Sequence, residues 1–140
     1  MKNSTMTQEE KELLLKDLCA RLPYNPLVEY KGESYNVLGI AHERLVLCKP
    51  FMSYTLKENP LVEEVKPYLF PLSSMSEEQI VEFDKIAELD IEYSITQIKN
   101  DVLIWTSGLN RFNWLLKNHF DVYGLIEKGL AIDATNLNIY

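Results

Sequence analysis

The chain has little cysteine, little glycine and no concentrated positive charge, and each shortage removes a class of function. Its 140 residues include only two cysteines, Cys19 and Cys48, too few for the disulfide framework of a small secreted domain. Neither these nor the two histidines, His42 and His119, stand in the short-spaced pairs that a structural zinc site needs. No metal and no cofactor is expected. No run approaches the roughly eighteen apolar residues of a membrane span, and no apolar core follows Lys2 as a signal peptide requires. The five glycines form no Gly-rich phosphate loop, no Gly-x-Gly-x-x-Gly and no Gly-x-Ser-x-Gly elbow. Lysine and arginine number 14 against 21 acids, a net charge of −7, and they are scattered. Binding nucleic acid through its phosphates needs a basic face, and so does binding an anionic membrane. The acidic residues run no longer than Glu9-Glu10, Glu63-Glu64 and Glu77-Glu78, which suits solvated helix faces better than mimicry of nucleic acid.

What is present is an ordinary core composition, 46% apolar and 11% aromatic, as in folded globular chains. One domain over 1–140 is expected, with 1–6 disordered, in a reducing cytoplasm. Thr7-Gln8-Glu9-Glu10 has the form of a capping box. The helix after it places Leu14, Leu15, Leu18, Cys19 and Leu22 on one face and Glu12, Lys16 and Asp17 away from it, until Pro23 stops it. The seven-residue spacing of Leu15 and Leu22 lasts too briefly for a coiled coil. Val28, Tyr30, Tyr35 and Val37 alternate about Gly32 as a hairpin does. Leu45 to Lys49 is continuously apolar up to Cys48 and reads as a third strand, buried on both faces.

Phe51 to Pro60 reads as a loop, and Leu61 to Val65 as a turn of helix or a strand. Pro67 and Pro71 hold Tyr68-Leu69-Phe70 extended. Ser76-Glu77-Glu78-Gln79 is a second capping box, opening a helix to about Leu89 with Ile80, Phe83, Ile86 and Ala87 inward. Leu89 to Ile95 and Val102 to Thr106 read as strands, or the first as continued helix. The densest apolar stretch, Asn110 to Ile132, anchors the core: a helix with Phe112, Leu115 and Leu116 on its stripe, a second short helix capped by Asp121 and closed at Lys128-Gly129, and a buried strand at Leu130-Ala131-Ile132. The fold class is therefore α+β, an N-terminal helix with a small curled antiparallel sheet, SH3-like in outline, and C-terminal helices packed on it.

Few residues are candidates for chemistry. Cys19 and Cys48 read as small buried side chains, so a Cys48–His42 nucleophile is disfavoured. His119 beside Asp121 has the makings of a general base. The competing reading is a helix cap, its imidazole on free carbonyls and its pKa raised by the dipole; a lowered pKa on a cleft wall would instead favour catalysis. Trp105, Trp114, Tyr123 and Tyr140 are candidate interface anchors.

Two stretches, Lys66-Pro67-Tyr68-Leu69-Phe70-Pro71-Leu72-Ser73-Ser74-Met75-Ser76-Glu77-Glu78-Gln79 and Trp114 to Ile132, resemble a family of small uncharacterised proteins from phages and mobile elements of gut anaerobic bacteria. With the first helix and hairpin, the resemblance covers most of the chain. It implies an intracellular, phage- or element-encoded protein and carries over no catalytic residue. The expected function is protein–protein binding without catalysis, with a homo-oligomer left open. The alternatives are a small enzyme at His119 and Asp121, or a nucleic-acid module on the sheet.

Overall fold

A computed structural model of the chain describes residues 6–50, 55–86 and 109–140. Helix α1, Gln8–Arg21, opens on the expected box: the Glu10 N–H donates to Thr7 Oγ1 at 3.1 Å and the Thr7 N–H to Glu10 Oε1 at 2.9 Å. Its buried face is Leu14, Asp17, Leu18 and Arg21. Cys19 is exposed. The buried stripe is thus turned by roughly 80° about the helix from the leucine-and-cysteine stripe expected above, at about 100° per residue. Asp17 and Arg21 are one helical turn apart, and their mutual hydrogen bonds let this charged pair share the buried face with Leu14 and Leu18.

Five strands follow: β1 Leu27–Tyr30, β2 Glu33–Ala41, β3 Arg44–Cys48, β4 Lys66–Leu69 and β5 Ile132–Asp133. They form one sheet in the order β3-β2-β1-β4-β5, antiparallel except for the parallel β4–β5 pair. Lys31 and Gly32 join β1 to β2, and His42 and Glu43 join β2 to β3, all four at positive φ. Turns of this kind match the right-handed twist of the strands they connect. A bulge between Val37 and Gly39 leaves Leu38 exposed.

The outline expected from SH3-like barrels is corrected, since the sheet is open and β3 and β5 are its ends. β3, expected deep in the sheet, is an edge strand. Residues 55–61 run along its outer side, where Leu45 N–H donates to Pro60 O and Leu56 N–H to Leu47 O. Covering an edge in this way removes a row of unpaired backbone groups. α1 lies over the sheet, and Leu14, Leu18, Leu45, Leu47, Val28 and Val62 have no exposed surface. Each such side chain contributes about 1.5–3 kcal/mol by burial.

Residues 77–86 form helix α2 behind the second capping box, in which Ser76 N–H donates to Gln79 Oε1 and Gln79 N–H to Ser76 Oγ. Ile80, expected inward, is 46% exposed. Phe83 packs on Trp114, ring centroids 5.7 Å apart. Ala87, the strands expected at Leu89–Ile95 and Val102–Thr106, and Trp105 lie outside the described residues.

Helix α3, Leu109–Lys117, carries the buried Trp114 and Leu116. Its end is closed by the backbone: His119 N–H donates to Leu116 O and Phe120 N–H to Leu115 O, with His119 at φ 64°. This is the Schellman pattern, in which the left-handed position is usually glycine. The same pattern recurs at 125–130, where Gly129 N–H donates to Ile126 O, Leu130 N–H to Leu125 O, and the left-handed residue is Gly129 at φ 76°. One end has the expected glycine and the other has a histidine.

Candidate functional site

The site is built around the turn after α3. Arg21 and Asp17 are wholly buried and bonded twice, Nε to Oδ2 at 2.7 Å and Nη2 to Oδ1 at 3.0 Å. Arg21 Nη2 also donates to the Phe120 carbonyl at 2.6 Å, tying α1 to the turn that carries His119. Burial pushes the Asp17 carboxyl up, against the opposing bonds from Arg21, and the nearby Asp121 carboxylate adds to the push. Asp121 is itself engaged: its two oxygens accept from the N–H groups of Leu125 and Ile126 at 2.9 and 3.0 Å. It caps a turn at 125–129, where a second short helix was expected: the segment closes at Gly129 before a helix is built.

His119 does not behave as the expected cap. The backbone closes the helix, and the imidazole lies flat on Tyr140, centroids 3.5 Å apart and planes 11° apart. Its Nδ1 is buried with no hydrogen-bond partner among the described residues. Burial and then the Arg21 charge push its pKa down to about 4, where a rise was expected. The dipole argument fails because the ring has left the helix axis for a half-buried position beside a guanidinium.

Tyr140 is 43% exposed, yet its hydroxyl is enclosed. It accepts from Leu27 N–H at 3.0 Å and donates to the Tyr68 carbonyl at 3.0 Å. The β1–β4 ladder pairs Glu29 with Lys66 and Val28 with Pro67, so the next position would set Leu27 against Tyr68. There the strands part and the phenol bridges them. This enclosure pushes the hydroxyl pKa up to about 12.

Beside these rings opens a cavity of about 660 Å³, lined by Tyr24, Asn25, Leu27, Ser34, Asn36, Pro50, His119, Asn138, Ile139 and Tyr140. Small-ligand sites span roughly 300–1,000 Å³. Among the described residues the lining holds no Asp, Glu, Lys or Arg. Asn25, His119 and Asn138 all have positive φ, at 53°, 64° and 53°. Left-handed backbone at non-glycine residues thus gathers on this wall, as it does at many ligand sites. Asn36 Nδ2 donates to the Asn25 carbonyl at 3.3 Å and Ser34 Oγ to Tyr68 Oη at 3.2 Å, which steadies two of the polar side chains.

The sequence candidates therefore separate. Tyr140 and His119 meet on the cavity wall, while Asp121 faces the next turn. Trp114 is 8% exposed and stacked on Phe120, inside the core. Tyr123 is half-buried against Phe112, with Lys16 over its ring. Cys48 is buried, and among the described residues no three His, Cys, Asp or Glu side chains are grouped to hold a metal. Nor is any helix among them long and apolar enough to cross a membrane. The asparagines went unread because isolated amides carry no spacing signal; their tolerance of left-handed backbone was the one available clue.

Fold and site together define an α+β protein with an aromatic-walled, amide-lined cleft. No protein-family model matches the chain, and no match emerges among curated proteins or solved structures.

Proposed function

We propose that the protein is a non-enzymatic binding protein that holds a segment of a polypeptide partner in the cleft beside His119 and Tyr140. The observation that carries this reading is the lining, which sets tyrosine, asparagine, serine and histidine beside Leu27, Pro50 and Ile139 and, among the described residues, holds no Asp, Glu, Lys or Arg. Tyrosine supplies rigid contact area, and serine and asparagine supply adaptable hydrogen bonds, which is the composition of protein-recognition loops. The place of action is a reducing cytoplasm, in the phage or mobile-element setting that the sequence resemblance implies.

Catalysis by His119 is the second reading, favoured by its place on the cleft wall, where the lowered pKa leaves the imidazole unprotonated at neutral pH. Against it stand a base far weaker than one poised near neutrality and an Asp121 carboxylate engaged elsewhere.

The test captures partners from cell extract, then repeats the binding with the purified partner and with His119→Gly and Asn36→Ala. Weakened binding by both variants, with Val81→Ser on the exposed side of α2 unchanged, supports the reading. Equal binding by all three would remove the cleft from it. Product formation by the wild type that His119→Gly abolishes would install the enzyme instead.

A further inference from the structure

The cleft combines two kinds of surface. One is π-faced: Tyr140, partly exposed, backed by the His119 imidazole, with Tyr24 in the same wall. The other is amide-edged, from Asn25, Asn36 and Asn138. A charged group entering here would lose hydration and meet no opposite charge among the described lining residues, a costly exchange. The nearest charged pair along the chain, Lys49 and Glu33, is bonded to each other. A flat uncharged ring gains contact area from the π-faced wall. The peptide groups on either side of such a ring carry the same donors and acceptors as the amides beside it.

The backbone adds an independent argument. The turn after α3 would form more readily with glycine, as its twin at Gly129 does. Histidine accepts a left-handed backbone there, and what its side chain adds is a ring laid under Tyr140. Strained backbone that supports a ring on a cavity wall is a preorganised surface for another ring.

We propose that the cleft takes an uncharged aromatic side chain of the partner, of the tyrosine type, against the His119–Tyr140 pair, with the flanking peptide groups bonded to Asn25, Asn36 and Asn138. This inference rests on the polypeptide-binding reading above. An uncharged sugar, which meets the same amides, is the competing occupant.

The test titrates the full chain by NMR with N-acetyl-tyrosinamide, N-acetyl-alaninamide, N-acetyl-phosphotyrosinamide and methyl glucoside. The tyrosine probe should shift the His119 ring and the three asparagine side-chain amides saturably. The alanine and phosphorylated probes should bind at least about tenfold more weakly, reflecting the lost ring contact and the added charge. His119→Gly, which suits the turn, should abolish the shifts while leaving the spectrum folded. Asn36→Ala provides a second variant outside the turn, in which the tyrosine probe should bind more weakly. Equal binding of the alanine or phosphorylated probe, preference for the glucoside, or no saturable shift with any probe would overturn the inference. If the tyrosine probe fails while cleft variants still weaken the purified partner, the ring class is wrong and the binding cleft stands. If the probe binds while partner binding ignores the variants, the ring site stands and the partner reading falls.

Discussion

The imidazole of His119 and the ring of Tyr140 lie parallel, 3.5 Å between centroids, at the end of a run of aromatic contacts that starts at Phe83 and passes through Trp114, Phe120 and Phe70. The contact joins the turn after α3 to the bridge that Tyr140 makes between β1 and β4. Arg21 holds the other side of the same turn through the Phe120 carbonyl. Helix, sheet and C-terminal segment therefore meet at the wall of the cleft, so cleft substitutions have readable effects on stability.

Tyr140→Phe tests the bridge. It leaves the Leu27 N–H and the Tyr68 carbonyl without the hydroxyl that now joins them. The loss should be about 1–3 kcal/mol, the cost of buried backbone groups left unpaired. Urea unfolding gives the stability, and amide exchange at Leu27 should accelerate more than exchange at Leu47. No change at Leu27 would mean that the strands close without the phenol.

Native thiol labelling tests the rotation of α1. Cys19 is exposed and Cys48 buried, so Cys19 should react in the folded protein and Cys48 only after unfolding. Protection of Cys19 would restore the stripe read from the sequence.

That rotation shows what the sequence made legible. The two capping boxes, the hairpin at Gly32 and the turn at Gly129 rest on local chemistry, and all four are in place. Local rules also named His119 as a helix-end residue. They could not show which part of it does the capping, because the ring's place depends on Tyr140 and its pKa on burial and on Arg21, both far from it in the chain. The face of α1 is hidden for a related reason: its leucines fit two overlapping stripes, and the buried one includes a charged pair whose partnering only the folded chain shows. The cleft lay beyond reach, since its asparagines come from separate turns and strands.

The pair itself gives a larger effect. Asp17→Asn leaves a buried guanidinium short of its counter-charge and should cost about 3–5 kcal/mol. Replacing both partners, as Asp17→Leu with Arg21→Met, should cost less than the two single losses added together, because no charge is then stranded. Additive losses in that cycle would show that the two side chains act independently.

Leu116 is 2% exposed on the inner face of α3. Leu116→Ala should cost about 2–5 kcal/mol through lost burial and the cavity left behind. A loss below about 1 kcal/mol would make α3 peripheral and undo the reading of the C-terminal run as the core's anchor.

His119 has its pKa pushed from the ordinary 6.5 down to about 4 in the folded chain. Between those values the unfolded chain binds the proton and the folded chain does not, so stability rises with pH across this window. The contribution is fully present above about pH 6.5 and is lost as pH falls through the folded pKa near 4. Partial exposure screens the effect, leaving on the order of 2 kcal/mol. Aspartates and glutamates also titrate toward the acid end, so the informative quantity is the difference between wild type and His119→Gln, measured by urea unfolding from pH 7.5 to 4. Wild type should lose the greater stability over that range, with the gap opening below about pH 6.5. A gap that opened as pH rose would mean a raised pKa and an imidazole on the α3 carbonyls, and the stack on Tyr140 would then not be its resting place.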